Sequence, residues 1–228
     1  MIQRLTLLPL LGSCLLLADG GAKPKVQATN TERMDFPSGG LLRLKNSAGE
    51  VQIQGWDRPQ IEITTIKSTQ DFYAPDEQSK GAALLDRVKV VTERQNQEIV
   101  VATTLPRYKW LSLNSSVHLP VDLLYVINVP RSARLAITHG EGEVHVAEVT
   151  GDIHATVRDG MITLSLAPEA HYDIDARSRV GSVFSDFPGN ERTRLWFFNH
   201  HFAEHSSGAA QNLYLRVGFG DIVMLKRR

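Results

Sequence analysis

From residue 40 onward the chain alternates apolar and polar positions in short runs. Leu42 and Leu44, then Val51 and Ile53 after an Asn46-Ser47-Ala48-Gly49 turn, stand between polar neighbours. Ile61, Ile63 and Thr65 resume the pattern after Gly55 and Asp57-Arg58-Pro59. A period of two marks strands with one buried face. Strand-like runs return at 88–91, 98–103 and 123–129, the last ending at Pro130, which cannot donate to a ladder. Residues 70–87 depart from this period: Ala82, Ala83, Leu84, Leu85 and Val88 are spaced for a short helix starting near Pro75-Asp76.

The alternation is tied to a recurring glycine. Copies read Gly49-Glu50-Val51-Gln52-Ile53, Gly142-Glu143-Val144-His145-Val146, Gly151-Asp152-Ile153-His154-Ala155, Gly160-Met161-Ile162-Thr163-Leu164 and Gly220-Asp221-Ile222-Val223-Met224, with a weaker Gly181-Ser182-Val183-Phe184-Ser185. Glycines 142, 151 and 160 are nine residues apart, so two units make a coil of 18. In such a coil His145 lies beside Thr163, and the positions two and four after each glycine face a core. The pattern predicts an all-β fold: a right-handed single-stranded β-helix, a solenoid-like stack of short strands with one short helix inserted. Residues 188–212 interrupt it and read as an excursion from one rung.

Charge narrows the function. The 228 residues carry 25 basic and 25 acidic side chains and a formal net charge of zero, so no long-range field draws the chain to nucleic acid. The beginning of the chain reads as an export signal over 1–22. Arg4 is its positive residue, Leu5 to Leu17 its apolar stretch, and Gly20-Gly21-Ala22 its small residues before the cut. Cys14, the single cysteine, ends Leu11-Gly12-Ser13-Cys14, which resembles a bacterial lipobox. The short spacing from Arg4 and the following Leu15-Leu16-Leu17 argue against lipidation, and both readings stand: a lipid anchor at Cys14, or cleavage after Ala22. Residues 23–37 read as a flexible leader and 38–228 as one β-solenoid domain.

Three segments resemble the bacterial "putative adhesin" family of the DUF4097 type. They are Leu42 to Trp56, Tyr125-Val126-Ile127-Asn128-Val129-Pro130 with Leu135-Ala136-Ile137, and the glycine repeat from Gly142 to Gly181. The resemblance implies an elongated all-β domain exported to the envelope, in the periplasm or at the cell surface, with no catalytic residues to transfer. It points to a non-catalytic binding or scaffolding protein whose partner is an envelope protein or a glycan. Its alternatives are a polysaccharide-acting β-helix enzyme and a structural or regulatory envelope protein.

Several residue groups suggest chemistry. His201-Phe202-Ala203-Glu204-His205 fits an inverted zinc-protease motif, which needs a helix to bring both histidines to one face, and a third ligand. No helical catalytic domain surrounds it, so a histidine-bearing loop or short helix is the reading taken. Weak metal binding by His200, His201 and His205 stays open. Asp173, Asp175, Arg177 and Arg179 alternate near Asp186, as an acid–base pair on a polysaccharide-binding face or as an ordinary polar face. Trp110, Tyr108, Trp196 and Phe197, with Phe198, lie in the irregular segments, where aromatics serve partner contact or cap a stack. No cofactor motif is present.

Overall fold

The computed structural model describes residues 24–104, 120–193, 198–205 and 208–227. The chain enters through β1 (Lys25–Asp35), β2 (Leu41–Ala48), β3 (Glu50–Trp56) and β4 (Gln60–Phe72). One helix, α1 (Gln78–Leu85), is followed by β5 (Lys89–Gln95), β6 (Glu98–Thr104) and β7 (Val121–Pro130). The two longest strands are β8 (Arg134–Ala147) and β9 (Ile153–Leu166). After them come β10 (Tyr172–Val180), β11 (Val183–Ser185), β12 (Asn190–Thr193), β13 (Phe198–Glu204), β14 (Gln211–Phe219) and β15 (Ile222–Lys226).

The strands pair in two runs that share β8 and β9. One run is β5-β6-β2-β8-β9-β14-β10-β13-β12, and the other is β1-β4-β7-β3-β8-β9-β15-β11. Pairing among β6, β2, β8, β9, β14 and β10 is parallel, and the outer strands β5, β13 and β12 are antiparallel. The second run is likewise parallel from β7 to β11 and antiparallel at β4 and β1. Buried side chains of both runs form one core, and the Tyr125 hydroxyl of β7 meets the Thr103 hydroxyl of β6 at 2.5 Å inside it.

The glycine repeat marks the corner of each rung. In β8 the buried positions are 135, 137 and 139 before the corner and 144 and 146 after it; in β9 they are 153, 155 and 157, then 162 and 164. The inward phase therefore switches from odd to even across the glycine. A strand that turns a corner must make this switch to keep the same face inside. Gly142 (φ 125°) and Gly160 (φ 138°) adopt backbone that L side chains avoid, and a Cβ on Gly160 would overlap the carbonyl oxygen of Gly142. The corner glycines stack in the order Gly49, Gly142, Gly160, Gly220, Gly181. Gly151 is of a different kind: it lies in the turn between rungs, pressed against the carbonyl of Ala133. The expected 18-residue register is observed: Leu135 faces Ile153, Val144 faces Ile162, and His145 faces Thr163.

Other expectations need correction. The rungs do not stack in chain order throughout, as a single-stranded β-helix requires. The last rung, β14-β15, sits between β9 and β10-β11. Its alternation of Leu213, Leu215 and Val217 offers the same inward face as Ile174 and Ala176, so either rung matches β9 by pattern alone. The stretch 23–37, expected to be a flexible leader, contributes β1, which pairs antiparallel with β4 from Asp35–Gln60 to Lys25–Phe72. Its side chains are mostly exposed, so backbone pairing with an edge strand, rather than an apolar stripe, holds it. Helix α1 lies within the expected 70–87 stretch and buries Gly81 and Leu85. Residues 1–22 with Cys14, and Tyr108, Trp110, Trp196 and Phe197, fall outside the described residues.

A basic cleft as candidate functional site

Parallel register sets outward side chains of neighbouring strands side by side. At the β14-β10-β13-β12 end of the first run, one such row reads Arg216, Arg177, His201, Arg192. At an ordinary interstrand spacing these four positions span about 14 Å. Arg179 and Asn199 follow one step further along β10 and β13, and Gly218 offers no side chain beside Arg179. Together they line a cleft of about 930 Å³. Among the described residues its lining holds four arginines (Arg177, Arg179, Arg192, Arg216) and two histidines (His200, His201), and no carboxylate.

One carboxylate stands at its edge. Asp175 accepts from Arg216 Nη2 at 2.5 Å and from Arg177 Nε at 3.2 Å, and pairs with His201 Nε2 at 2.9 Å. Burial alone pushes the Asp175 pKa up. The hydrogen bond and charge of Arg216, the charge of Arg177 and the hydrogen bond from His201 outweigh it and hold the carboxyl below its usual value. A carboxylate so held stays ionised at neutral pH and is a poor proton donor. Asp173, two residues earlier on the same face, pairs with His205 Nδ1 at 2.8 Å. Asp186 instead accepts from the Lys226 backbone N–H at 3.0 Å. The aspartates singled out in the sequence are therefore each engaged separately.

Beside the row stands Tyr214, an exposed aromatic (40 %) on β14. The Arg216 guanidinium lies 3.6 Å from its ring centroid, and the His154 ring is 4.4 Å away, tilted by 53°. His154 and His145, expected to be solvent-facing, are so placed: His145 Nε2 sits 3.0 Å from Glu143.

The zinc-protease pattern fails on local geometry. His201 and Glu204 lie on a strand, so a spacing of three sends them to opposite faces, while His201 and His205 are separated by about 13 Å of extended chain. Among the described residues no group of three or more His, Cys, Asp or Glu converges as metal ligands would. Asp175, Arg177, Arg179 and His201 were visible in the sequence. Arg192, Arg216 and Tyr214 were not. Alternation around Leu213, Leu215 and Val217 marks 214 and 216 as outward, but no local signal says which strand lies next to them.

No curated protein matches the chain. Among solved structures it is similar to a "putative cell adhesion protein" from Clostridium sporogenes, at 13 % identity, covering 88 % of this chain and 100 % of that one, with a TM-score of 0.49. It is also similar to a "putative adhesin" from Parabacteroides distasonis at 8 % identity, covering 69 % and 61 % of the two chains, with a TM-score of 0.30. A "putative lipid binding protein" from the same organism matches at 11 % identity, 69 % and 70 % coverage and a TM-score of 0.27. A family profile described as Toastrack DUF4097 matches residues 38–222, and the chain belongs to that family.

Proposed function

We propose that this chain is an exported, non-catalytic, adhesin-like binding or scaffolding protein of the bacterial cell envelope. One observation carries the reading. A preformed cleft lies on the outer face of a stacked sheet, and the carboxylate at its edge is held ionised by arginines rather than poised to move a proton. Membership of the DUF4097 family and the names of the similar adhesion proteins accord with it. In this reading residues 1–22 direct export, with Cys14 as the residue that a lipid anchor would use, and 38–228 form one domain. Its parallel rungs coil as a right-handed, solenoid-like stack, the hand that parallel crossovers favour. Tyr108, Trp110, Trp196 and Phe197 add partner contacts from the irregular segments at 105–118 and 188–212.

The test is a binding screen of the chain against isolated envelope fractions and glycan arrays, run beside a polymer-degradation assay on the same glycans. Saturable binding without release of reducing ends supports the reading. Polymer cleavage, or no retention of any envelope component, overturns it. Trp110→Ala and Trp196→Ala are expected to weaken envelope binding several-fold, read as dissociation constants.

A further inference from the structure

We propose that the outer face of β14, β10, β13 and β12 binds an extended acidic glycan, with its acid groups on Arg177, Arg179 and Arg192 and a sugar ring against Tyr214. This rests on the envelope-binding reading and names the ligand class of the basic cleft. The chain as a whole is balanced at 25 basic and 25 acidic residues, so this concentration of positive charge is local. Like charges on directly opposed strand positions repel. Arg216, Arg177 and Arg192 nevertheless share one cross-strand row with His201, against the single Asp175. Elsewhere Arg43 pairs with Glu98, Arg33 with Glu62, and Arg131 with both Asp57 and Glu148, while Arg58 and Arg134 stand apart from one another rather than in a row. Arg179 and Arg192, both exposed, have no ion-pair partner among the described residues.

The chemistry of the row selects its ligand. A guanidinium presents a planar fork that matches the paired oxygens of carboxylate, sulfate or phosphate. A row about 14 Å long, crossing four strands, suits acid groups repeated along a polymer better than one small anion. Tyr214 adds an exposed aromatic body at the rim, with its polar tip free to hydrogen-bond. A single aromatic at the edge differs from the successive stacking platforms that single-stranded nucleic acid uses.

The experiment measures binding of the chain to dextran sulfate, polygalacturonate, inorganic polyphosphate, neutral dextran and oligo-dT at about 50 mM salt, where exposed charges are weakly screened. Dextran sulfate and polygalacturonate are expected to bind and neutral dextran to fail. Arg179→Ala with Arg192→Ala is expected to lower glycan affinity about tenfold and to flatten its salt dependence. The double variant's unfolding midpoint should not change, because neither residue holds an ion pair among the described residues. Tyr214→Ala is expected to weaken the glycans several-fold and leave polyphosphate unchanged. Equal binding of neutral dextran, an unaltered double variant, or tighter binding of oligo-dT than of either acidic glycan overturns the proposal. Envelope material retained equally well by the double variant leaves the envelope reading standing and overturns this site. Envelope material that the unmodified chain does not retain overturns the envelope reading, and the glycan titrations then judge the cleft on their own.

Discussion

Just before the glycine corner, one layer of the core runs the length of the stack, and its two ends are built differently. In register it reads Asn46, His139, Val157, Val217, Ser178. At the β2-β8 end Asn46 and His139 are buried side by side; the Asn46 amide has no hydrogen-bond partner, and the His139 ring has the Gly49 and Glu141 backbone near it, but not placed for a well-formed hydrogen bond. At the β14-β10 end two valines are followed by Ser178, which donates to the carbonyl of Gly220 at 2.6 Å. The outer faces differ in the opposite sense: ion pairs such as Arg43–Glu98 balance the β2 side, and the β10 side is left basic. The same corner backbone carries both ends. The difference teaches that the frame and its decoration are separable: glycine geometry repeats because each corner abuts the next, while inward and outward side chains vary rung by rung.

The largest expected effect tests the shared frame. Gly160→Ala places a Cβ on the carbonyl of Gly142 at a backbone angle of 138°. It is expected to cost about 4 kcal/mol or more, or to prevent folding. Gly39→Ala, at φ 70° with open space around it, is expected to cost about 1 kcal/mol from backbone conformation alone. Urea unfolding midpoints of the two variants make the measurement. Equal midpoints would break the claim that one corner carries both ends.

A second effect sharpens the contrast between polar and apolar ends. Burial pushes the Tyr125 pKa up to about 12, against a smaller opposing pull from its hydrogen bond to Thr103. The unfolded chain loses this proton near pH 10 and the folded chain does not, so stability is full below about 10 and falls as pH rises toward 12. Two pKa units correspond to about 2–3 kcal/mol. Unfolding by urea at pH 9 and pH 11.5 is expected to show that loss, and Tyr125→Phe to remove most of it.

What could be read from the sequence follows from the range of each interaction. Strand alternation and the corner glycines depend on residues within five positions of one another, and the 18-residue register follows because β8 and β9 pair as neighbours in sequence. His145 therefore meets Thr163 as the spacing requires. The insertion of β14-β15 between β9 and β10-β11 depends on a choice between two rungs with equivalent inward faces, and nothing local distinguishes them. The basic row inherits that limit: Arg177 and Arg179 stand out on their own strand, but Arg216 and Arg192 join them only through the pairing of β10 with β14 and of β13 with β12. The polar strand β1 was missed because it lacks an apolar stripe.

The third effect concerns His139. Burial lowers its pKa, outweighing the opposing pull of the Gly49 and Glu141 backbone and the Glu141 charge. The unfolded chain then takes up this proton more readily, so stability is present above about pH 6.5 and is lost as pH falls below it. His139→Leu removes two unpartnered polar atoms and makes the position resemble Val157, its neighbour in the next rung. It is expected to gain about 1–2 kcal/mol at pH 7 and more at pH 5, flattening the acid limb of the stability profile.

The smallest effect should carry the opposite sign. Ser178 is fully buried in the same layer as His139, but its hydroxyl is satisfied by the Gly220 carbonyl. Ser178→Ala removes a donor and leaves that carbonyl with one partner fewer at the corner, for an expected loss of about 1 kcal/mol. Burial and polarity alone rank the two substitutions alike, since each removes a hidden polar group; the presence of a partner separates them. Chemical denaturation of both variants at pH 7 is the measurement. If Ser178→Ala stabilises the chain as His139→Leu is expected to, hydrogen bonding does not distinguish the two ends, and the polar layer at β2-β8 is simply the stack's tolerance for a poorly matched core.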